Sequence, residues 1–136
     1  MTKFGDLVDC GLPRCSLKIS AADAAVYQGF TDLILKETAA GDSILAIPND
    51  AELYFLSGRR NPTRFYNASQ GTTTPELQRE VFRVLQDTPP RLVIFRPGDK
   101  YNTRATAELM TEVRSRYEFL GNASGTEIYR RRAPER

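Results

Sequence analysis

Two kinds of apolar pattern organise the chain. Ile44–Ile47 and Leu92–Phe95 are uninterrupted apolar runs of strand length, and Leu92–Phe95 reads as a parallel strand covered on both faces. Elsewhere apolar positions recur at helical spacing. Val26, Phe30, Leu33 and Ile34 mark a helix entered at Ser20, with Asp23 in its first turn, that stops near Gly41. Leu77, Val81, Val84 and Leu85 mark a second, opened by Thr74-Pro75-Glu76 and ended by Pro89-Pro90. That opening combines a cap, a proline at the first helical position and an acid at the positive end of the dipole. Leu109, Met110, Val113 and Tyr117 mark a third, from near Thr103 to Tyr117, with Glu112 and Arg116 spaced to pair on its outer face. A short helix over 50–57 fits between these elements. Asp50 can cap its start, Gly58 can take the left-handed conformation at its end, and Tyr54 and Phe55 read as core. Thr63–Asn67 predicts a weaker strand. The chain closes in a hairpin of Glu118–Gly121 and Thr126–Arg131 around a turn at 122–125. Ile128 has polar or amphipathic neighbours, as on an edge strand.

Strands alternating with helices predict βαβ units. The expected fold class is α/β: a small three-layer Rossmann-like domain of about five strands, its sheet mostly parallel, with a C-terminal antiparallel hairpin placing one strand at the edge. Residues 1–18 read as an irregular lead-in, 19–132 as a single α/β domain and 133–136 as a basic tail. A length of 136 residues suffices for one hydrophobic core.

The formal net charge is only +2, so its placement matters more than its size. Arg130-Arg131-Arg132 and Arg136 cluster at the end of the chain. Arg59, Arg60 and Arg64 form a basic interaction loop after the short helix, at the amino edge of the sheet. Such groups suit a phosphate, a lipid head group or a neighbouring protein domain. No aromatic residues interleave with them as a base-stacking platform requires, so nucleic acid is not an expected partner. Histidine is absent, which removes Ser–His and Cys–His nucleophile pairs, imidazole bases and His-based metal sites. No metal site and no cofactor is expected. Cys10 and Cys15 are spaced C-x4-C, unlike the redox C-x2-C. Gly11 and Pro13 allow the loop to bend into a disulfide, and two free thiols are the alternative. No apolar run approaches the roughly 20 residues of a membrane helix, and Met1–Asp9 lacks the order of a signal peptide.

The stretch Gly41–Phe65, GDSILAIPNDAELYFLSGRRNPTRF, together with Pro90–Phe95 and Tyr117–Arg131, resembles the soluble C-terminal tail domain of bacterial polytopic GT-C glycosyltransferases, the protein-mannosyltransferase-like group. The resemblance spans residues 20–132. It implies an extracytoplasmic (periplasmic) α/β domain of a membrane protein whose parent uses a polyprenyl-phosphate-linked sugar. The catalytic acids of that group lie in loops of the membrane portion, so the resemblance carries no catalytic residue onto this chain. It implies two partners, the membrane portion of the same parent and a glycan or lipid-linked sugar, and it favours the Cys10–Cys15 disulfide.

In open α/β sheets ligands sit beyond the carboxyl ends of the strands. Three loops qualify: Pro48–Asp50, Asn67–Thr74 and Arg96–Asn102. The candidate ligand-binding residues are Asn49, Asp50, Arg96, Asp99, Lys100, Tyr101 and Asn102. Their amides and acids suit sugar hydroxyls, and a tyrosine ring can cover a sugar face. The same residues also read as helix caps and a surface turn. After Ile47 the chain has no G-x-G-x-x-G and no Walker A loop, which disfavours a nucleotide-binding enzyme. The expected function is a non-catalytic accessory domain assisting acceptor or donor handling. The alternative is a free-standing cytoplasmic α/β protein that binds a small polar ligand or a protein partner.

Overall fold

The structure, a computed structural model, describes residues 7–9, 18–48, 52–65 and 73–132. The elements run β1 (Leu7–Asp9), β2 (Lys18–Ser20), α1 (Ala21–Glu37), β3 (Ile44–Ile47), α2 (Glu52–Ser57), α3 (Pro75–Asp87), β4 (Leu92–Phe95), α4 (Arg104–Arg116), β5 (Tyr117–Ala123) and β6 (Thr126–Arg131). The chain is α/β; the described residues form four helices and a four-stranded open mixed sheet ordered β3-β4-β6-β5.

Both apolar runs are strands and every residue in them is buried. They pair in parallel, Ile44 opposite Leu92 through Ile47 opposite Phe95. On one face Leu45, Ile47, Val93, Phe95 and Tyr129 pack against Val81 and Leu85 of α3 and Leu109, Met110 and Val113 of α4. On the other, Ile44, Leu92, Ile94 and Ile128 pack against Phe30 and Ile34 of α1 and Leu53 of α2. Helices thus cover both faces, which is why these strands carry no polar alternation.

The sheet corrects the expectation of a mostly parallel, Rossmann-like arrangement. Only β3 and β4 are parallel; β4–β6 and β6–β5 are antiparallel. Among the described residues the sheet has four strands rather than about five: of the strand expected over Thr63–Asn67, residues 63–65 form no strand and 66–67 lie outside the described residues. Asn61 turns the chain on itself, its Oδ1 accepting from Thr63 N and its Nδ2 donating to Phe65 O. β1, in the segment read as an irregular lead-in, pairs with β2 at its end as a separate antiparallel sheet.

The C-terminal antiparallel hairpin does place one strand at the edge, but it is not the strand that carries Ile128. β6 lies inside the sheet and β5 forms the edge. Thr126, Ile128 and Tyr129 are buried, whereas Phe119 of β5 is 58% exposed. Ile128 faces α1, and Tyr129 faces the opposite layer. Two buried faces mark an interior strand even where charged residues flank it.

Helix starts follow their local chemistry. Thr74 caps α3, its Oγ1 accepting from Leu77 N at 3.2 Å. Thr103 caps α4 in a reciprocal box with Thr106. Gly58 ends α2 at φ 69°, its N–H donating to Tyr54 O. α1 ends at Glu37, earlier than Gly41. Phe55, read as core, is 57% exposed; Tyr54 is half-buried, and its hydroxyl accepts from Ala46 N at 2.8 Å. That contact satisfies an outward N–H on edge strand β3, and Arg60 O accepts from Ile44 N beside it. An otherwise open sheet edge is thereby closed.

Candidate functional site

The parallel pair brings the carboxyl ends of β3 and β4 to the same end of the sheet. Arg96 N donates to Ile47 O at 2.9 Å and extends the ladder by one rung. The loop over 96–102 therefore emerges beside the end of β3, as the sequence predicts. Asn49 and Asp50 lie outside the described residues.

The loop is bonded mainly to itself. Asn102 Nδ2 donates to Arg96 O at 2.8 Å and to Pro97 O at 2.9 Å. Asp99 Oδ1 accepts from Tyr101 N at 2.8 Å, and Asn102 N donates to Asp99 O. Lys100 Nζ stands 5.2 Å from the centre of the Tyr101 ring, which is half exposed. Arg96 and Asn102 are half-buried. Asn102 Oδ1 keeps an unused acceptor in the protein. Its described residues offer one carboxylate oxygen, one amide oxygen, one ammonium and one exposed ring: hydrogen bonding, charge and ring contact. Among the described residues no group of three or more His, Cys, Asp or Glu is placed to hold a metal ion.

The basic loop lies at the opposite, amino end of the sheet, as its position after α2 predicts. Arg60 forms an isolated parallel bridge with Ser43 just before β3. Arg59 Nε donates to Thr38 Oγ1 at 2.8 Å, and Arg60 donates to Gly41 O at 2.8 Å. Both tie down the turn that follows α1. Arg64 behaves differently: it forks onto Glu80 at 2.7 and 3.1 Å and covers the Phe65 ring at 4.6 Å. The Arg64 guanidinium holds the exposed Glu80 carboxyl below its usual value. The three arginines therefore do not form one cluster of equivalent groups. Cys10 and Cys15 lie outside the described residues, and so does the tail from 133.

Two polar centres have no counterpart in the sequence reading, one at the buried Tyr117 and one at the half-buried Arg130. Tyr117 donates its hydroxyl to Pro90 O, and burial pushes its phenol well above the ordinary value. Arg130 joins Glu37 of α1 to Glu118 of β5. Each joins residues far apart in the chain, so only strand register could reveal it.

Compared with protein-family models, curated proteins and solved structures, the chain gives no significant match. No helix among the described residues is long and apolar enough to cross a membrane.

Proposed function

We propose that this chain is a non-catalytic α/β accessory domain of the kind found as the extracytoplasmic, periplasmic tail of bacterial GT-C glycosyltransferases. In that role it packs against the membrane portion of its parent, which transfers sugar from a polyprenyl-phosphate donor, and assists acceptor or donor handling.

The observation that carries the reading is what the residues of the resembling motif do here. Tyr54 closes the edge of β3, Gly58 ends α2, Arg59 and Arg60 pin the turn after α1, and Pro90 O receives the Tyr117 hydroxyl. Each has a structural duty. At the carboxyl end, Asp99 and Asn102 bind their own loop rather than an acid–base partner. A catalytic site aims such groups at a reacting atom, so a scaffold with some capacity for polar contact fits better.

Fractionated source cells probed with antibody raised against this domain test the reading. A band restricted to membranes, and far larger than a 136-residue chain, is the expected result. A soluble band of that chain's own size overturns it. Such a result favours the free-standing cytoplasmic alternative and directs ligand screening to the loop at 96–102.

A further inference from the structure

At the amino end of the sheet four residues lie on one level. Arg60 bridges Ser43, Arg91 N donates to Ser43 O at 2.8 Å, and Arg131 N donates to Arg91 O at 2.9 Å. Arg60, Ser43, Arg91 and Arg131 therefore cross the sheet end as a row, about 14 Å long at the usual strand spacing. Alternation turns Ser43, Arg91 and Arg131 toward the layer of α3 and α4, since Ile44 and Leu92 pack on the other face and Tyr129 on this one. A shallow concavity of about 290 Å³, lined by Ser43, Arg60, Asn61, Pro62 and Thr88, opens at the Arg60 end.

The arginines divide by what holds them. Arg64, Arg79, Arg104, Arg114, Arg116 and Arg130 each face a carboxylate. Arg59, Arg60, Arg91 and Arg131 donate instead to Thr38, Gly41 O, Arg131 O and Pro89 O, all neutral. Among the described residues no ion pair reaches these four. Asp42 Oδ2 accepts from Ala39 N, and Glu37 and Glu118 face Arg130, so none of these three acids pairs with the row. A neutral carbonyl fixes a guanidinium without cancelling its charge, and most of its five N–H donors stay open. Positioned, uncompensated guanidinium groups are what phosphate recognition uses.

We propose that this row docks the chain onto the phosphates of an anionic lipid surface. Its width exceeds one phosphate and suits an array of them. Leu35, 46% exposed, and Lys36 stand in the last turn of α1, immediately before the turn that Arg59 and Arg60 hold. That adds an apolar side chain and another cation at the same end, the combination that favours an interface. Nucleic acid fits less well, because the aromatic residue level with the row, Tyr117, is buried and offers no base a stacking face. The inference stands on the row and does not depend on the transferase reading.

Co-sedimentation of the full chain with vesicles tests it. Vesicles of phosphatidylglycerol with phosphatidylcholine are expected to retain the chain, phosphatidylcholine alone is not, and salt weakens the binding. Replacing Arg60, Arg91 and Arg131 together by Gln is expected to lower apparent affinity at least about tenfold. Replacing Arg79, Lys100 and Arg104 by Gln removes the same charge away from the row and is expected to change it by less than about twofold. Thermal melts check folding. If the row variant does not fold, Arg60→Gln, which alters an exposed side chain, carries the test with an expected loss of about threefold. Equal retention by both lipid compositions, equal weakening in both triple variants, unaltered binding in Arg60→Gln, or release of the chain by a single-stranded oligonucleotide would overturn the proposal.

Discussion

Asn102 shows at the scale of one residue how a polar side chain in a loop can be committed to structure. Its Nδ2 ties together the carbonyls of Arg96 and Pro97, where the chain leaves β4 and must turn into α4. Asn102→Ala is expected to lower stability by about 1–2 kcal/mol, since each net hydrogen bond contributes about 1 kcal/mol. Urea denaturation measures this; a change within a few tenths would mean that the loop does not depend on the amide. The sequence makes Asn102 readable in two ways, as ligand contact or as part of a helix entry. The residue type alone cannot separate them, because an amide has the same donors for a sugar and for a carbonyl. The path of the chain through 96–103 accounts for the amide nitrogen and leaves Oδ1 without a partner in the protein.

Among the elements, helix starts were legible and sheet order was not. Thr74 and Thr103 act on amides within three residues of themselves, so the whole determinant lies in a short window of sequence. The position of β6 depends instead on β4, more than thirty residues earlier, and Ile128 between Glu127 and Tyr129 gives no local sign of an interior strand. The arginine row is hidden for the same reason: Arg60, Arg91 and Arg131 meet only through register. The insertion of β6 rests on the turn that joins it to β5. Ser124 and Gly125 have φ of 51° and 74°, the two positive values of a tight hairpin whose twist matches its strands. Gly125→Ala forces a Cβ into that conformation and is expected to lower stability by about 1–2 kcal/mol, read from the urea midpoint. A smaller loss would mean that the turn relaxes without disturbing the β4–β6 pairing. Asn is well suited to a left-handed turn position, so Ser124→Asn should be tolerated.

On the scale of the whole molecule, Tyr117 reports on how the layers come together. It ends α4, starts β5, pairs with Arg131 of β6, and donates its hydroxyl to the carbonyl of Pro90 at the entry to β4. The side chain is 2% exposed. Burial raises its pKa, while the cations of Arg131 and Arg116 oppose that shift without reversing it. In the unfolded chain a tyrosine releases its proton near pH ~10. Between that value and the higher folded one, the native state holds a proton that the unfolded state has lost. Stability from this group is therefore complete below pH ~10 and declines as pH rises, by at most about 1.4 kcal/mol per unit. Tyr117→Phe should reduce stability at neutral pH by about 1–2 kcal/mol, because a buried carbonyl loses its donor. The same substitution should flatten the alkaline limb, since Phe has no proton to lose. All other groups are common to both proteins and cancel in the difference. Urea midpoints of the two proteins, measured from pH 7 to 11, should therefore converge above pH ~10. Curves that stay parallel throughout would show that Tyr117 titrates alike in folded and unfolded chains, and that the junction of α4, β4 and the hairpin is open to water.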